Sequence, residues 1–487
     1  MSDPIRFLLG TTEHEVHDVD PNMTVLQWLR THAGLTGTKE GCAEGDCGAC
    51  TVVVAEPGAA GMHYRAVNGC ILFLPTLHGK QLITVEHLRQ PDGRLHPAQQ
   101  ALVECHGSQC GFCTPGFVMS MFAMYQNEDR PSRQRIQDVL AGNLCRCTGY
   151  RPILDAAEHM YDLGSGDTFS AREADTAQRL TTLRGDATLH VTGSGRDYYA
   201  PRTTDALADL LADLPDATIL AGGTDVGLWV TKEHRKLDTL LYTGDVDDLK
   251  TVREDDDWLD IGAAVTHTDA MELIGWCYPD FGELLRRFAS VQIRNSGTIG
   301  GNIANASPIG DSMPVLIAMN AELVLRQGCR RRTLPIDQFF LDYRKTAMAA
   351  GEFLERIRVP RPAAGWQLCC YKLSKRFDQD ISAVCAAFNL RLDGDTVQDV
   401  RIGFGGMAAI PARAVQTEAA LRGQPWTEAS VAAASAALDA EFKAMTDMRA
   451  SADYRMLTAR NLLRKCHLET TLEPAPTRVL DHEEAQV

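Results

Sequence analysis

Nine of the chain's 15 cysteines (Cys42, Cys47, Cys50, Cys70, Cys105, Cys110, Cys113, Cys145 and Cys147) fall in its first 150 residues. The run Cys42-x4-Cys47-x2-Cys50 with a later Cys70 has the plant-type spacing of a [2Fe–2S] cluster, in which three thiolates on one loop and a fourth from a neighbouring turn enclose two irons. A four-cysteine zinc site is the alternative, although such sites favour two short pairs over a run of three. Glycines at 34, 37, 41, 45 and 48 exclude a regular element there and suit a loop whose amides crowd a bound object. The second set, Cys110-x2-Cys113 and Cys145-x-Cys147, taken alone suits a second cluster or zinc. Cys113 directly precedes Thr114-Pro115, read as the N-cap and first-turn proline of a helix whose dipole favours a thiolate. Cys105 lies outside both sets and reads as a packed thiol.

The elements that must hold these residues follow from periodicity. Residues 5–9 and 51–55 are apolar and often β-branched, as strands are, and between them Thr24 caps an apolar helical pattern over 25–30. From about residue 83 helical patterns replace strands: 97–105, a run opening at 114, a helix capped by Ser132 that stops at Gly142, and roughly 153–161. Glycine and serine around a polar stretch place a linker at 163–196. Strands such as 217–221 and 259–264 alternate with helices through 197–365, a mixed α/β pattern. Residues 366–470 read as a compact α+β domain with strands at 383–390 and 400–404 and an alanine-rich helix from 428, and the acidic tail 471–487 is expected to be mobile.

Length and charge narrow the function. At roughly 100–200 residues per domain, 487 residues predict two to four domains. A net charge of −16 lacks the general attraction to phosphate on which nucleic-acid binders depend. No apolar run approaches the roughly 18 residues of a membrane span, and the acidic start is unlike a leader, so a cytoplasmic protein with no membrane and no nucleic-acid partner is expected.

Three motifs carry a family resemblance: Gly41-Cys42-Ala43-Glu44-Gly45-Asp46-Cys47-Gly48-Ala49-Cys50, Gln109-Cys110-Gly111-Phe112-Cys113-Thr114-Pro115-Gly116 and Asn143-Leu144-Cys145-Arg146-Cys147-Thr148-Gly149-Tyr150. Together they resemble the iron–sulfur half of the xanthine dehydrogenase family of molybdenum hydroxylases. Two further segments, Ile219-Leu220-Ala221-Gly222-Gly223-Thr224-Asp225-Val226 and 297–308, are similar to the loops that hold FAD in that family. Paired glycines after a strand let amides approach a pyrophosphate closely. Gly403-x-Gly405-x-x-Ala408 also fits a dinucleotide pattern, but Pro411 interrupts the helix this fingerprint requires.

The resemblance implies a multidomain α+β fold: a β-grasp [2Fe–2S] ferredoxin domain (1–82), a four-helix [2Fe–2S] domain (83–162), an FAD-binding domain (197–365) and a C-terminal flavoprotein domain (366–470). It implies that Cys42, Cys47, Cys50 and Cys70 hold one cluster and Cys110, Cys113, Cys145 and Cys147 the other, with Gln109 hydrogen-bonded to a pterin. Phe288 is implied beside the isoalloxazine, Thr298, Ile299, Gly300, Gly301, Asn302, Asp311 and Leu354 against the cofactor, and Lys372 reaching the ring system. The segment 374–381 resembles a loop that influences whether NAD or dioxygen takes the electrons; Gln379 stands where some relatives have an acid. Because the sequence ends at Val487, where single-chain relatives continue into a molybdopterin-binding region, the expectation is an electron-transfer subunit of a two-subunit xanthine dehydrogenase, paired as a dimer of heterodimers with a large subunit that carries the molybdenum cofactor. Electrons would pass through two clusters to FAD and then NAD. A related aldehyde or N-heterocycle hydroxylase, and a zinc-stabilised module with no redox role, are the rival expectations.

Overall fold

The computed structural model describes residues 2–59, 61–90, 92–164, 167–471 and 477. The chain forms two compact units, one of residues 1–250 with 266–269 and 289–298, the other of 251–265, 270–288 and 299 onward.

In the first unit a five-stranded sheet runs in the order Thr12–Val16, Ile5–Leu9, Gln81–Ile83, Thr51–Gly58, Gly61–Asn68, with Ile5–Leu9 and Gln81–Ile83 parallel. Alternate residues of a strand face opposite sides. Here Phe7, Val52, Val54 and Leu82 join the helix Val25–Thr31 in one core, while Leu8, Val53, Ala55 and Ile83 enter the core of the helical domain. Both faces are covered, which is why these strands read as continuous apolar runs. Thr24 and Gln27 form a reciprocal capping box at the start of the helix Val25–Thr31. This is the expected β-grasp ferredoxin arrangement.

Four helices follow, Pro97–Glu104, Thr114–Asn127, Arg133–Leu140 and Arg151–His159. Every residue from Gly116 to Met124 is buried, so Thr114–Asn127 is the central helix of the four. Thr114 does not cap it: Cys113 occupies the N-cap position, and the Thr114 hydroxyl lies 2.8 Å from that of Ser108. At this domain's edge His96 and Asp167 form a buried pair at 2.9 Å, and Asp167 also accepts from the amides of Phe169 and Ser170. Burial would raise the Asp167 carboxyl, but the His96 and Ser170 hydrogen bonds outweigh it and hold the group below its usual range. Its contribution is therefore complete above about pH 4 and fades as pH falls through the depressed folded value. Asp167→Ala should cost about 1–3 kcal/mol at neutral pH, and urea titrations of both proteins should converge at acid pH.

The stretch 163–196 is not merely a linker. It contains the helix Glu173–Arg184 and the strand Leu189–Gly193, which pairs with Arg196–Ala200. The helix escapes a reading by periodicity because only Thr176 and Leu180 are buried in twelve residues. A second sheet, ordered Leu189–Gly193, Arg196–Ala200, Thr239–Tyr242, Thr218–Leu220, completes the unit. Its Val191, Tyr198, Leu220 and Leu240 share a core with Phe7 and Val25 of the ferredoxin sheet. Residues 197–250 therefore cluster with the cysteine-bearing domains in the first unit, together with 266–269 and 289–298, while the rest of 197–365 belongs to the second.

The second unit has a five-stranded antiparallel sheet in the order Val252–Glu254, Trp258–Gly262, Phe353–Pro360, Glu322–Gln327, Arg330–Pro335. A four-stranded antiparallel sheet follows, Trp366–Leu373, Val384–Asp393, Thr396–Gly405, Ala412–Arg413, with the helices Val415–Leu421, Glu428–Glu441 and Ala452–Thr471. No helix follows Gly405 directly, as Pro411 requires, so the Gly403 to Ala408 pattern is a strand end. Apart from Thr471, which ends the last helix, and Thr477, the tail lies outside the described residues.

Candidate functional site

The loop between residues 34 and 50 has no regular structure, and Gly34, Gly45 and Gly48 adopt φ of +69°, +86° and +70°. A Cβ on Gly41 would lie 2.7 Å from the Cys47 sulfur, so glycine there makes room for a thiol. The Cys47 amide donates to Cys42 Sγ at 3.3 Å. The thiols of Cys42 and Cys47 hydrogen-bond each other, which pushes Cys42 down to about 5 and Cys47 up. Cys50 and Cys70, both buried, form a second such pair, with Cys50 lowered and Cys70 raised by that bond. Leu26, Ile71, Leu228 and Ile293 cover this pair with apolar surface.

The other set pairs in the same way. Cys147 is raised by its bond to Cys110, and Cys110 is lowered by the Phe112 amide and then by Cys147. Burial and then Cys145 push Cys113 up to about 12. The Cys145 amide donates to the Tyr150 hydroxyl at 3.0 Å, and Tyr150 itself has φ +68°. Among the described residues no three metal-binding side chains converge as a single ion needs. The thiols instead associate two by two, and each iron of a two-iron cluster takes two cysteines. Burial differs between the sets: Cys110 and Cys147 are exposed along with Gln109, and Phe112, Leu144 and Tyr150 beside them are exposed apolar residues. The two loops also touch, since the amide of Leu144 donates to the carbonyl of Cys47 at 3.0 Å.

Of the residues expected at a flavin, Ile219 and Leu220 end the strand Thr218–Leu220, and Ala221 to Asp225 form the turn into the helix Val226–Thr231. Gly223 has φ +72°. A Cβ on Gly222 would sit 1.8 Å from the carbonyl oxygen of Ser296, so this glycine lets the 219–226 loop lie against the 296–297 turn. The same loop and its helix grip the first cysteine loop: Thr231 donates to Ala43 O at 2.8 Å, and a Cβ on Gly227 would meet Ile71 O at 2.7 Å. Thr298 is buried. In the second unit the Ile299 and Gly300 amides donate to Val265 O and Ala263 O, and Gly301 and Asn302 continue the helix Ile299–Ala304. Asn302 Oδ1 accepts from Ser312 Oγ at 2.6 Å. Within the first unit, the paired glycines of the 219–226 turn leave main-chain amides open to close approach, as a pyrophosphate would need.

The remaining expected contacts divide. Phe288 is half-buried just beyond the helix Pro279–Arg286, while Leu354 is a core residue of the strand Phe353–Pro360, opposite Leu325. Lys372 does not reach outward. Its ammonium donates to Asp311 Oδ2 at 2.6 Å, Asp380 O at 2.7 Å and Ser382 Oγ at 2.9 Å, and the side chains of Lys372 and Asp311 are each 2% exposed. Three protons and three acceptors leave nothing over for a ring. In the 374–381 loop the Arg287 guanidinium lies 4.1 Å from the centre of the Phe377 ring and donates to the Phe377 carbonyl, a clamp that no motif reveals. Gln379 has φ +55°.

Four family models match the chain in turn: a 2Fe-2S iron–sulfur cluster binding domain at 8–70, a [2Fe-2S] binding domain at 84–158, the FAD binding domain in molybdopterin dehydrogenase at 190–362 and the CO dehydrogenase flavoprotein C-terminal domain at 369–470. Xanthine dehydrogenase of Emericella nidulans is 34% identical over 90% of this chain and 36% of its own length, and xanthine dehydrogenase/oxidase of Gallus gallus 31% over 88% and 37%. The chain thus spans about a third of the length of these relatives. Carbon monoxide dehydrogenase from Hydrogenophaga pseudoflava superposes with a TM-score of 0.53 at 32% identity over 55% of this chain and 94% of the solved one, and quinoline 2-oxidoreductase from Pseudomonas putida 86 with 0.52 at 25% over 56% and 95%. Two iron–sulfur domains followed by a flavin domain and its C-terminal companion, in one order, place the chain in the xanthine dehydrogenase family of molybdenum hydroxylases, as the iron–sulfur and FAD portion.

Proposed function

We propose that this chain carries electrons from a molybdenum site on a partner subunit, where hypoxanthine and xanthine are hydroxylated, to FAD and on to NAD. When bound, the clusters supply one-electron steps and the flavin joins them to two-electron exchange with a nicotinamide. Cys110, Cys113, Cys145 and Cys147 hold the cluster nearer the partner, and Cys42, Cys47, Cys50 and Cys70 the inner one. The loop 219–226 holds FAD.

One observation carries this order: the exposed cysteine loop touches the buried one through Leu144 N–H and Cys47 O, and the buried one is gripped by the helix that leaves Gly222-Gly223. The exposed Phe112, Leu144 and Tyr150 around Gln109 suit a partner's docking surface. Purine substrates are favoured by the xanthine dehydrogenases matched over most of the chain, whereas the carbon monoxide and quinoline enzymes match just over half of it. For a carbon monoxide dehydrogenase, 55% of this chain accounts for 94% of the solved one, which supports a molybdenum site carried on another chain. No helix among the described residues is long and apolar enough to cross a membrane.

Serine at Cys47 tests the assignment. The paramagnetic signal of the inner cluster should change while the other persists, and NADH should still reduce the flavin. Equal loss of both signals in a folded variant contradicts the pairing.

A further inference from the structure

Between the two cysteine loops lies a junction that no ligand residue builds. A Cβ on Gly48 would come within 2.3 Å of Gly142 O, and one on Gly116 within 2.2 Å of Gly48 O, so the ferredoxin loop rests backbone to backbone on the helical domain. Four buried polar side chains close this contact: Thr51, Ser120, Asn143 and Gln292. Asn143 Nδ2 donates to Gly48 O at 3.1 Å, and Ser120 Oγ to Asn143 Oδ1 at 2.7 Å. The Gln292 amide nitrogen donates to Asn143 Oδ1 at 3.0 Å, with Ser120 Oγ at 3.2 Å and Thr51 Oγ1 at 3.3 Å also in reach. Its three acceptors come from three segments of the two cysteine-bearing domains.

Gln292 is an odd choice for a plug. It is 1% exposed, and its Oε1 has no hydrogen-bond partner among the described residues and sits 1.9 Å from where a Cβ on Gly142 would be. A buried acceptor left unpaired is destabilising, so an apolar side chain of equal length would fill the space at lower cost. What such a side chain would lose is the orientation of Asn143, the residue preceding Leu144.

We propose that Gln292 is a positioning residue for electron transfer between the two clusters. From the helix Val291–Ser296 its amide fixes Asn143, and through it the Leu144-to-Cys47 hydrogen bond that sets the spacing of the cysteine loops. The inference rests on both loops holding [2Fe–2S] clusters. Tunnelling falls exponentially with separation and dipolar coupling with its cube, so a small loosening registers in both.

The test is low-temperature paramagnetic resonance of the full, cofactor-loaded protein reduced with dithionite. Wild type should give two cluster signals split by their mutual interaction. If the two signals are absent, the reading as a two-cluster protein fails; if they are present without splitting, the positioning proposal fails. Gln292→Met should keep both signals at wild-type iron content but narrow or lose the splitting, and should slow passage of electrons from NADH to the outer cluster. Val139→Ala, which removes a buried core group from the helix Arg133–Leu140 but none of the junction's hydrogen bonds, should lower the melting temperature and leave the splitting unchanged. Unchanged splitting in Gln292→Met, or the same loss in Val139→Ala, overturns the proposal. Should Gln292→Met fail to fold, Ser120→Ala decides: it deletes the hydroxyl that accepts from Gln292 and donates to Asn143 Oδ1, it should narrow the splitting, and no change there is equally fatal.

Discussion

Gly222→Val is expected to strip the flavin from the protein while the cluster in the helical domain keeps its spectrum. The three atoms nearest a Cβ at this position are all backbone: Ser296 O at 1.8 Å, Ser296 C at 2.4 Å and Gly297 Cα at 2.8 Å. Backbone cannot swing aside as a long side chain can, so the 219–226 loop and the 296–297 turn must separate. Overpacking costs about 1–3 kcal/mol, and here the upper end applies. Carried into flavin binding, that is a loss of roughly 100-fold in affinity, read as the ratio of FAD to protein after gel filtration. Gly223 sharpens the test. Its φ of +72° also asks for glycine, but the nearest atom to its Cβ is 3.5 Å away. Gly223→Ala should therefore cost only the left-handed strain of about 1–2 kcal/mol, and lose less flavin than Gly222→Ala. The opposite ranking would mean that the loop-to-turn contact does not shape the site.

Lys372→Met should be the most damaging change in the C-terminal half. It leaves the Asp311 carboxylate buried with Ser382 Oγ at 2.6 Å as its remaining side-chain donor. Breaking a buried pair from one side costs about 3–5 kcal/mol, whereas replacing both partners by groups of similar shape is often close to neutral. The double variant Lys372→Met/Asp311→Leu should consequently regain most of the lost thermal stability, a coupling that a double-mutant cycle measures. A lysine acting mainly on the flavin ring would behave otherwise: Lys372→Met would unfold normally with altered flavin reduction, and the second substitution would restore nothing.

The cysteine sets were legible because ligation is a local constraint written in short spacings, and the glycines of the 34–48 loop stand where thiols need room, as Gly41 does under Cys47. Helix starts were legible where a side chain caps, as Thr24 and Ser132 do, and misread at Thr114, where the thiol-bearing residue before it takes the cap position. The helix Glu173–Arg184 was hidden by a narrow buried stripe. What the chain conceals most is contact between distant segments. The Lys372–Asp311 pair spans 61 residues and the Gln292 contacts up to 241, and neither leaves a periodicity or a motif. The same holds for the sheet around Tyr198 and Leu240, whose residues read as part of a later domain but share a core with Phe7 and Val25.

The central claim, two [2Fe–2S] clusters and one FAD on this chain, is tested most directly by the composition of the purified protein. Iron, acid-labile sulfide, zinc and flavin should be measured per chain, together with the paramagnetic spectrum after reduction. Two irons and two sulfides for each cluster, one FAD, negligible zinc and two distinct signals are the predicted result. Zinc at the cysteines with neither sulfide nor flavin would contradict it.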